Sequence, residues 1–138
     1  MLVVLDTSVL VAAWRSRRGA SFEIVSRLGR GQFDIVVSVP LAIEYESAIS
    51  RSRVAGLGRD DAKVFVDYVC AVAQRQNIFF LWRPLLRDSN DDMVAEVAVA
   101  AEANAIVSHN VRDFVGVEKF GVRVVTPGAF LQKIGKLR

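Results

Sequence analysis

The chain has 138 residues, of which 52% are hydrophobic and 24% charged, and this composition excludes an intrinsically disordered protein. One cysteine, Cys70, and one histidine, His109, exclude an internal disulfide and a zinc site built on several such residues. Basic residues outnumber acidic ones by 18 to 15, and the net charge of +3 is compatible with an anionic partner such as nucleic acid.

The N-terminal half predicts strands that alternate with helices. The apolar run at 2–5 predicts a strand buried on both faces. We prefer this interpretation to a signal peptide, and no uncharged apolar run is long enough for a membrane span, so we expect a cytoplasmic protein. The patterns that follow predict helices at 9–14 and 20–29, a strand at 33–39, a helix from Pro40 to about Arg51, and a helix from Asp60 or Asp61 to about Gln74.

The C-terminal half continues the alternation. It predicts a third strand at 78–82, an alanine-rich helix at 91–103, a strand at 105–108, one helical turn at 111–115, a last strand at 122–125 and a closing helix at 127–134. Alternating strands and helices are typical of an α/β fold with a mainly parallel sheet. We expect one such domain over residues 1–138.

Acidic side chains follow each of the first four predicted strands. They are Asp6, then Glu44, then Asp88, Asp91 and Asp92, and finally Asp113 beside Asn110. The carboxyl ends of parallel strands meet at one edge of the sheet, where ligands bind. A single aspartate could simply cap a helix, but several carboxylates at one edge repel one another unless a cation lies between them. The pattern therefore predicts a Mg²⁺ or Mn²⁺ site that activates water for attack on a phosphate.

Four segments together resemble the PIN-domain nucleases. They are DTSVL at 6–10, PLAIEYESAI at 40–49, RDSNDDMVAEVAVAAEANAIVSHNVRDF at 87–114 and GVRVVTPGAFL at 121–131. The resemblance implies a three-layer α/β/α sandwich and metal-dependent ribonuclease activity. Many small members are VapC-like toxins of type II toxin–antitoxin pairs. The resemblance therefore also implies an RNA substrate, a small antitoxin partner and a homodimer.

The resemblance also implies roles for individual residues. The acids that match the catalytic and metal-binding positions are Asp6, Glu44, Asp92 and Asp113. Asn110 matches a position that is Asp in some members and Asn in others, so either Asn110 or Asp113 completes the site. The polar residues expected to support the site through hydrogen bonds are Thr7 and Ser8. Two extra acids, Asp88 and Asp91, could each take the place of Asp92.

Other charged and aromatic residues allow two interpretations each. The arginines Arg15, Arg17, Arg18, Arg51 and Arg53, with Arg59, either contact RNA phosphates or form a solvated surface. His109 is interpreted as structural rather than as a general base. Glu96 is expected at the surface or at a dimer rim. The aromatic residues expected in the core or an interface, rather than stacked on bases, are Trp14, Phe79, Phe80 and Trp82.

Two other function classes compete with the nuclease. A catalytically silent PIN-like module that binds RNA or acts as a scaffold would bind RNA without metal-dependent cleavage, and Asn110 in place of an acid leaves room for it. A response-regulator receiver also places acids at strand ends, but it needs a lysine after a later strand. The predicted strands at 105–108 and 122–125 are not followed by such a lysine, which disfavours the receiver.

Overall fold

The computed structural model describes residues 1–78 and 89–135, apart from the side chains of Ser89, Asn90 and Asp92. The described strands form one five-stranded sheet in the order β3-β2-β1-β4-β5, and every neighbouring pair is parallel. The strands are β1 (Leu2–Leu5), β2 (Asp34–Val37), β3 (Gln74–Arg75), β4 (Ala105–Val107) and β5 (Arg123–Val125). The predicted parallel α/β fold is confirmed.

Helices connect the strands along the chain. The α-helices of the described residues are α1 (Thr7–Arg15), α2 (Ala20–Ser26), α3 (Val39–Arg51), α4 (Arg59–Val72), α5 (Ser89–Ala100) and α6 (Pro127–Gly135). Two short 3₁₀ helices, at Val111–Phe114 and Val117–Phe120, lie between β4 and β5. Their bounds agree with the sequence patterns to within a few residues at most ends, because capping and apolar periodicity mark the same positions.

The order of the strands explains the three layers. From β1 the chain moves through β2 to the sheet edge at β3, and it then crosses back to β4 on the other side of β1. Parallel crossovers are right-handed, so connections that run in opposite directions lie on opposite faces of the sheet. The fold is therefore an α/β/α sandwich, and the direction of the chain changes at the crevice between β1 and β4, where open parallel sheets bind their ligands.

The central strands form the core. Val3, Val4 and Leu5 of β1 are fully buried, as are Ile106 and Val107 of β4. Leu5 lies opposite Val107 in the parallel register, so both strands end at the same level. A continuous apolar strand is expected wherever helices cover both faces of a sheet, and this explains the unbroken apolar run at 2–5.

The strand that pairs with β2 lies earlier in the chain than the third strand that the sequence pattern predicts. The strand predicted at 78–82 is wrong at Ile78, which is outside any strand, and residues 79–82 lie outside the described part of the chain. The strand that pairs with β2 is instead β3, where Gln74 lies opposite Val36 and Arg75 opposite Val37. Both residues of β3 are exposed at the sheet edge, so no apolar signal marks them.

None of the helices in the described ranges combines the length and the apolar character needed to cross a membrane.

Candidate active site

Asp6 immediately follows the central strand β1 at the carboxyl edge of the sheet. Its backbone N–H donates to the carbonyl of Val107 at 2.9 Å, which continues the β1–β4 ladder by one step. Asp6 is only 5% exposed. It occupies the cap position of α1, yet its side chain makes no capping hydrogen bond to the helix. The helix-cap alternative for Asp6 is therefore wrong, and its carboxylate is directed elsewhere.

Two serine hydroxyls hold the Asp6 carboxylate. Ser8 Oγ and Ser108 Oγ both donate to Asp6 Oδ2 at 2.7 Å, and the two hydroxyl oxygens are 3.5 Å apart. Oδ1 accepts no hydrogen bond from the described residues. No buried side-chain oxygen or nitrogen in that part of the chain lacks a partner, so Oδ1 is open to solvent. A nearly buried carboxylate thus has one oxygen fixed by two hydroxyls and the other without a donor among the described residues.

The segment after β4 forms hydrogen bonds to these two serines. The His109 backbone N–H donates to Ser8 Oγ at 3.2 Å, and the Asn110 N–H donates to Ser108 Oγ at 2.9 Å. The His109 ring is 2.7 Å through Nε2 from the hydroxyl of Ser21 in α2. The imidazole therefore contacts α2, whereas the backbone of the same residue contacts the serine pair. This arrangement supports the structural interpretation of the histidine.

Tyr45 connects α3 to the end of β1 through a hydrogen bond. Its hydroxyl donates a short hydrogen bond to the Leu5 carbonyl, and its side chain is fully buried. Burial raises the pKa of this hydroxyl well above its ordinary value, and the negative charge of Asp6 raises it further. Tyr45 therefore remains a neutral hydrogen-bond donor next to the strand that carries Asp6.

Glu44 precedes Tyr45 in α3 and is paired with an arginine of the same helix. Arg51 Nη2 lies 3.7 Å from Glu44 Oε1, and Arg51 Nη1 donates to Ser47 Oγ at 2.7 Å. The Glu44 side chain is only 14% exposed, whereas that of Arg51 is 66% exposed. An ion pair with so exposed a partner is weak. Glu44 can therefore exchange the guanidinium for another cation at little cost.

Asn110 and Asp113, the two candidates for completing the set of metal-binding residues, differ in their connection to Asp6. Asn110 is exposed, and its backbone N–H contacts the Ser108 hydroxyl that holds Asp6. Asp113 lies in the 3₁₀ helix Val111–Phe114, is also exposed, and donates its backbone N–H to the Asn110 carbonyl at 3.0 Å. Both residues therefore follow β4 at the predicted edge, and Asn110 is the nearer of the two along the hydrogen-bond chain.

The remaining predicted acids belong to the segment before and at the start of α5. Asp92 lies in the first turn of α5, which begins at Ser89, but its side chain is outside the described part. Asp91 is partly buried and has an interaction partner. Asp88 lies outside the described residues. Among the side chains that are described, no three acidic, histidine or cysteine residues lie close enough together to hold a metal ion.

A PIN-domain family model matches residues 2–112 of the chain, which is most of its length. The matched range includes Asp6, Glu44 and Asp92. The chain belongs to the PIN-domain family. Members of this family are nucleases that generally use divalent metal ions.

Two solved structures resemble this PIN domain in fold. One is a VapBC2 complex from Rickettsia felis, crystallised with a DNA fragment from its promoter; it matches with a TM-score of 0.64 and 16% identity over 91% of this chain and 98% of that chain. The other is the protein PAE2754 from Pyrobaculum aerophilum, with a TM-score of 0.64 and 16% identity over 99% and 90% of the two chains. No curated protein sequence matches this PIN domain.

The donor chemistry of this PIN domain fits a hard divalent cation. Asp6 presents a free carboxylate oxygen, and Glu44 holds only a weak ion pair. Carboxylate oxygens are the ligands that Mg²⁺ and Mn²⁺ prefer. Asp6 and Glu44, with Asp92 from the first turn of α5, are the residues that could hold such an ion.

The supporting residues were only partly predictable. Ser8 contacts Asp6 as expected, whereas the Thr7 hydroxyl makes no hydrogen bond to the described residues. Ser108 and Tyr45 were missed, although Ser108 ends a predicted strand at the same edge as Asp6, and this position was the available signal. Glu96 was expected at the surface, but it is 4% exposed and has an interaction partner, so that expectation is wrong.

The predicted RNA-contacting arginines are all exposed. Arg15, Arg17 and Arg18 lie at the end of α1 and just after it, whereas Arg51 and Arg53 lie at the end of α3 and just after it. Trp14 connects the two helix ends, because its indole N–H donates to the Ser52 carbonyl at 2.8 Å. The ring of Trp14 also packs edge-on against Phe65 of α4 with centroids 5.4 Å apart, so one side of this partly buried ring contacts the core.

Proposed function

We propose that this PIN domain is a metal-dependent endoribonuclease that hydrolyses RNA phosphodiester bonds and serves as the toxin of a type II toxin–antitoxin pair. The observation that carries the proposal is the Asp6 carboxylate. It is nearly buried at the carboxyl edge of the central strand, it is fixed through Oδ2, and it is open through Oδ1. Because no protein donor occupies Oδ1, this oxygen is available to coordinate a cation.

Each acid has a role in this proposal. Asp6, Glu44, Asp92 and Asp113 are the ligands of Mg²⁺ or Mn²⁺. When bound, the cation supplies charge neutralisation for the scissile phosphate and activates the attacking water. Ser8 and Ser108 keep the Asp6 carboxylate in one orientation, so that no reorganisation is needed when the substrate arrives.

Four further residues support these acids. Asn110 or Asp113 completes the set of metal-binding residues, because both follow β4. Asp88 and Asp91 are alternative ligands near the start of α5, and Thr7 borders the site at the first residue of α1. By family analogy, in-line attack leaves a 5′-phosphate and a 3′-hydroxyl.

The partners follow from the same proposal. The exposed arginines Arg15, Arg17, Arg18, Arg51 and Arg53 contact the phosphates of the RNA substrate. A small antitoxin protein in the cytoplasm inhibits the nuclease, and the VapBC complex from Rickettsia felis supports this partner class as a structural relative. The toxin is a homodimer, so sedimentation is expected to give twice the 15.2 kDa mass of one chain. Sedimentation at the monomer mass at all concentrations would contradict the dimer.

The experiment is the cleavage of end-labelled single-stranded RNA with Mg²⁺, Mn²⁺ or EDTA. Wild type is compared with Asp6→Asn and Asp92→Asn, and Asp34→Asn is the matched control because Asp34 is exposed and begins β2 at the opposite edge of the sheet. We expect cleavage by wild type and Asp34→Asn only when metal is present, and a loss of about 100-fold or more in the two site variants.

The other outcomes exclude this proposal in different ways. Equal cleavage by all four proteins identifies a contaminating ribonuclease. RNA binding without cleavage, from folded wild type free of antitoxin and supplied with metal, favours the silent PIN-like RNA-binding or scaffold module. Cleavage that persists in EDTA contradicts the metal-dependent chemistry.

A further inference from the structure

A groove of about 430 Å³ lies where the ends of α1 and α3 meet the start of α4. Buried Ile49 and Ala62 form part of its floor, and the partly buried ring of Trp14 forms a wall. Exposed Arg53 and Arg59 lie on its rim. The groove thus combines an aromatic surface with two arginines that make no ion pair with the described residues, which is the combination that single-stranded nucleic acids bind.

Positive charge is concentrated around this groove. Residues 14–18 and 50–62 contain six arginines and two aspartates, which leaves an excess of four positive charges, whereas the whole chain has a net charge of only +3. One of the two acids, Asp61, is engaged with the backbone, because its Oδ2 accepts the Gly58 N–H at 2.7 Å. The rest of the molecule is therefore close to neutral, and the attraction for an anion is local to this corner.

Helices α1 and α3 connect the groove to the acidic site, because each carries residues of both. Arg51 is paired with Glu44 at 3.7 Å, and its neighbours Ser50 and Ser52 line the groove. Trp14 comes eight residues after Asp6 along α1, which places the groove about 12 Å from the start of that helix. An extended polyanion with one phosphate at the carboxylates can therefore pass Arg51 and enter the groove.

We propose that this groove, which we call the Trp14 groove, is a subsite for a nucleotide that flanks the scissile bond of single-stranded RNA. This inference rests on the proposed function and deepens it. Arg53 and Arg59 contact the phosphates on either side of that nucleotide, and its base lies between Trp14 and Leu57. Arg51 leaves Glu44 and binds the phosphate between the groove and the cleavage site.

The test measures RNA binding without cleavage. A labelled single-stranded RNA of ten nucleotides is titrated with protein in EDTA, and the anisotropy is followed at several salt concentrations. The variants are Arg53→Ala and Arg59→Ala. Arg123→Ala is the control, because Arg123 is also exposed but lies on β5 at the far edge of the sheet.

We expect each groove variant to lower the slope of log affinity against log salt by about 0.7, which is the loss of one phosphate contact to a single strand. Affinity at about 0.1 M salt falls roughly fivefold for each arginine, and Arg123→Ala retains the wild-type slope. Equal slopes in wild type and both groove variants overturn the subsite, as does an absence of RNA binding by wild type.

A second measurement reports on the groove itself. The chain has two tryptophans, so Trp82→Phe leaves Trp14 as its only strong emitter. The RNA is expected to quench Trp14 emission at the concentrations that change anisotropy. Unchanged emission at saturating RNA overturns the inference and leaves the groove to a protein partner. Because EDTA is present throughout, the binding experiment is independent of cleavage. RNA binding in the groove without cleavage in the metal assay would contradict only the proposed function. Cleavage without a role for the groove would contradict only this inference.

Discussion

At the scale of single residues, the Ser108 hydroxyl determines how the Asp6 carboxylate is held. It donates to Oδ2 at 2.7 Å and accepts the Asn110 N–H at 2.9 Å. Ser108→Ala removes a hydrogen bond to a charged group and leaves the Asn110 N–H without that partner. We expect the free energy of unfolding to fall by about 2 kcal/mol, and cleavage to fall as Asp6 loses its fixed orientation.

The control for Ser108→Ala is Ser26→Ala. Ser26 Oγ also donates a hydrogen bond, at 2.8 Å, but to the Glu23 carbonyl within the last turn of α2. This bond serves no other side chain, so its loss is expected to change stability by less than about 0.5 kcal/mol. Urea unfolding of the three proteins measures both effects. An equal loss of unfolding free energy in the two variants would show that the hydrogen bond to Asp6 stabilises the protein no more than the bond within α2.

The raised pKa of Tyr45 predicts how the free energy of unfolding changes at alkaline pH. Its hydroxyl pKa is raised by burial and by Asp6, so the unfolded chain releases this proton near pH 10 while the folded chain retains it. The contribution of Tyr45 to the free energy of unfolding is therefore fully present below about pH 10. Above that pH it is lost, by about 1.4 kcal/mol per pH unit, until the pKa of Tyr45 in the folded protein is reached. Tyr45→Phe removes the part of the decline that comes from Tyr45, and at neutral pH it costs about 1 kcal/mol for the bond to Leu5.

The matched control for Tyr45→Phe is Tyr68→Phe. The Tyr68 hydroxyl also donates to a backbone carbonyl, that of Leu28 at 3.2 Å, but the side chain is 47% exposed. The control is expected to retain the alkaline decline, because Tyr45 is still present. The Cys70 thiol, whose pKa burial also raises, adds to the decline in every variant. A decline that is unchanged in Tyr45→Phe would contradict the buried neutral donor.

At this scale, sequence reasoning predicted the local hydrogen-bond partner of Asp6 but not the distant ones. Asp6 and Ser8 are two residues apart, so their contact is local and was predictable. Ser108 reaches Asp6 across 102 positions of sequence, and Tyr45 reaches Leu5 across 40. Such contacts depend on which strands are neighbours and on their register, and neither can be obtained from one sequence.

At the scale of elements, the cap of α3 positions the helix that carries Glu44. Buried Ser38 accepts the Leu41 N–H at 3.2 Å, and Pro40 occupies the first turn, where it needs no hydrogen-bond partner. Ser38→Ala is expected to cost about 1 kcal/mol. Ser50→Ala, on the exposed end of the same helix, is expected to cost less than about 0.5 kcal/mol. Thermal unfolding measures the difference, and equal melting temperatures would contradict the capping role.

The elements themselves show where sequence patterns are sufficient. The strands β1 and β2 were predicted because each is a short apolar run that is followed at once by residues typical of a helix start. The strand β3 was missed because its two residues, Gln74 and Arg75, are exposed and are defined only by hydrogen bonds to β2. An edge strand of this kind needs no apolar side chains, so pairing rather than composition decides its place.

At the scale of the whole molecule, the parallel sheet was predictable and the order of its strands was not. Alternating strands and helices require crossovers, and crossovers imply parallel pairing with the acids at one edge. The order β3-β2-β1-β4-β5 places β1 at the centre, so that Asp6 lies at the change of direction. The uneven charge distribution was present in the sequence, whereas the structure shows, through the contact of Trp14 with Ser52, that two of its basic segments are neighbours.

The most direct test of the central claim is the affinity of the protein for Mn²⁺, followed by calorimetry in wild type, Asp6→Asn and Asp34→Asn. Each variant removes one negative charge, from the carboxyl edge or from the opposite edge of the sheet. We predict that Asp34→Asn binds like wild type and that Asp6→Asn binds at least about tenfold more weakly. Equal affinities in the three proteins would contradict a metal centre built on the Asp6 carboxylate.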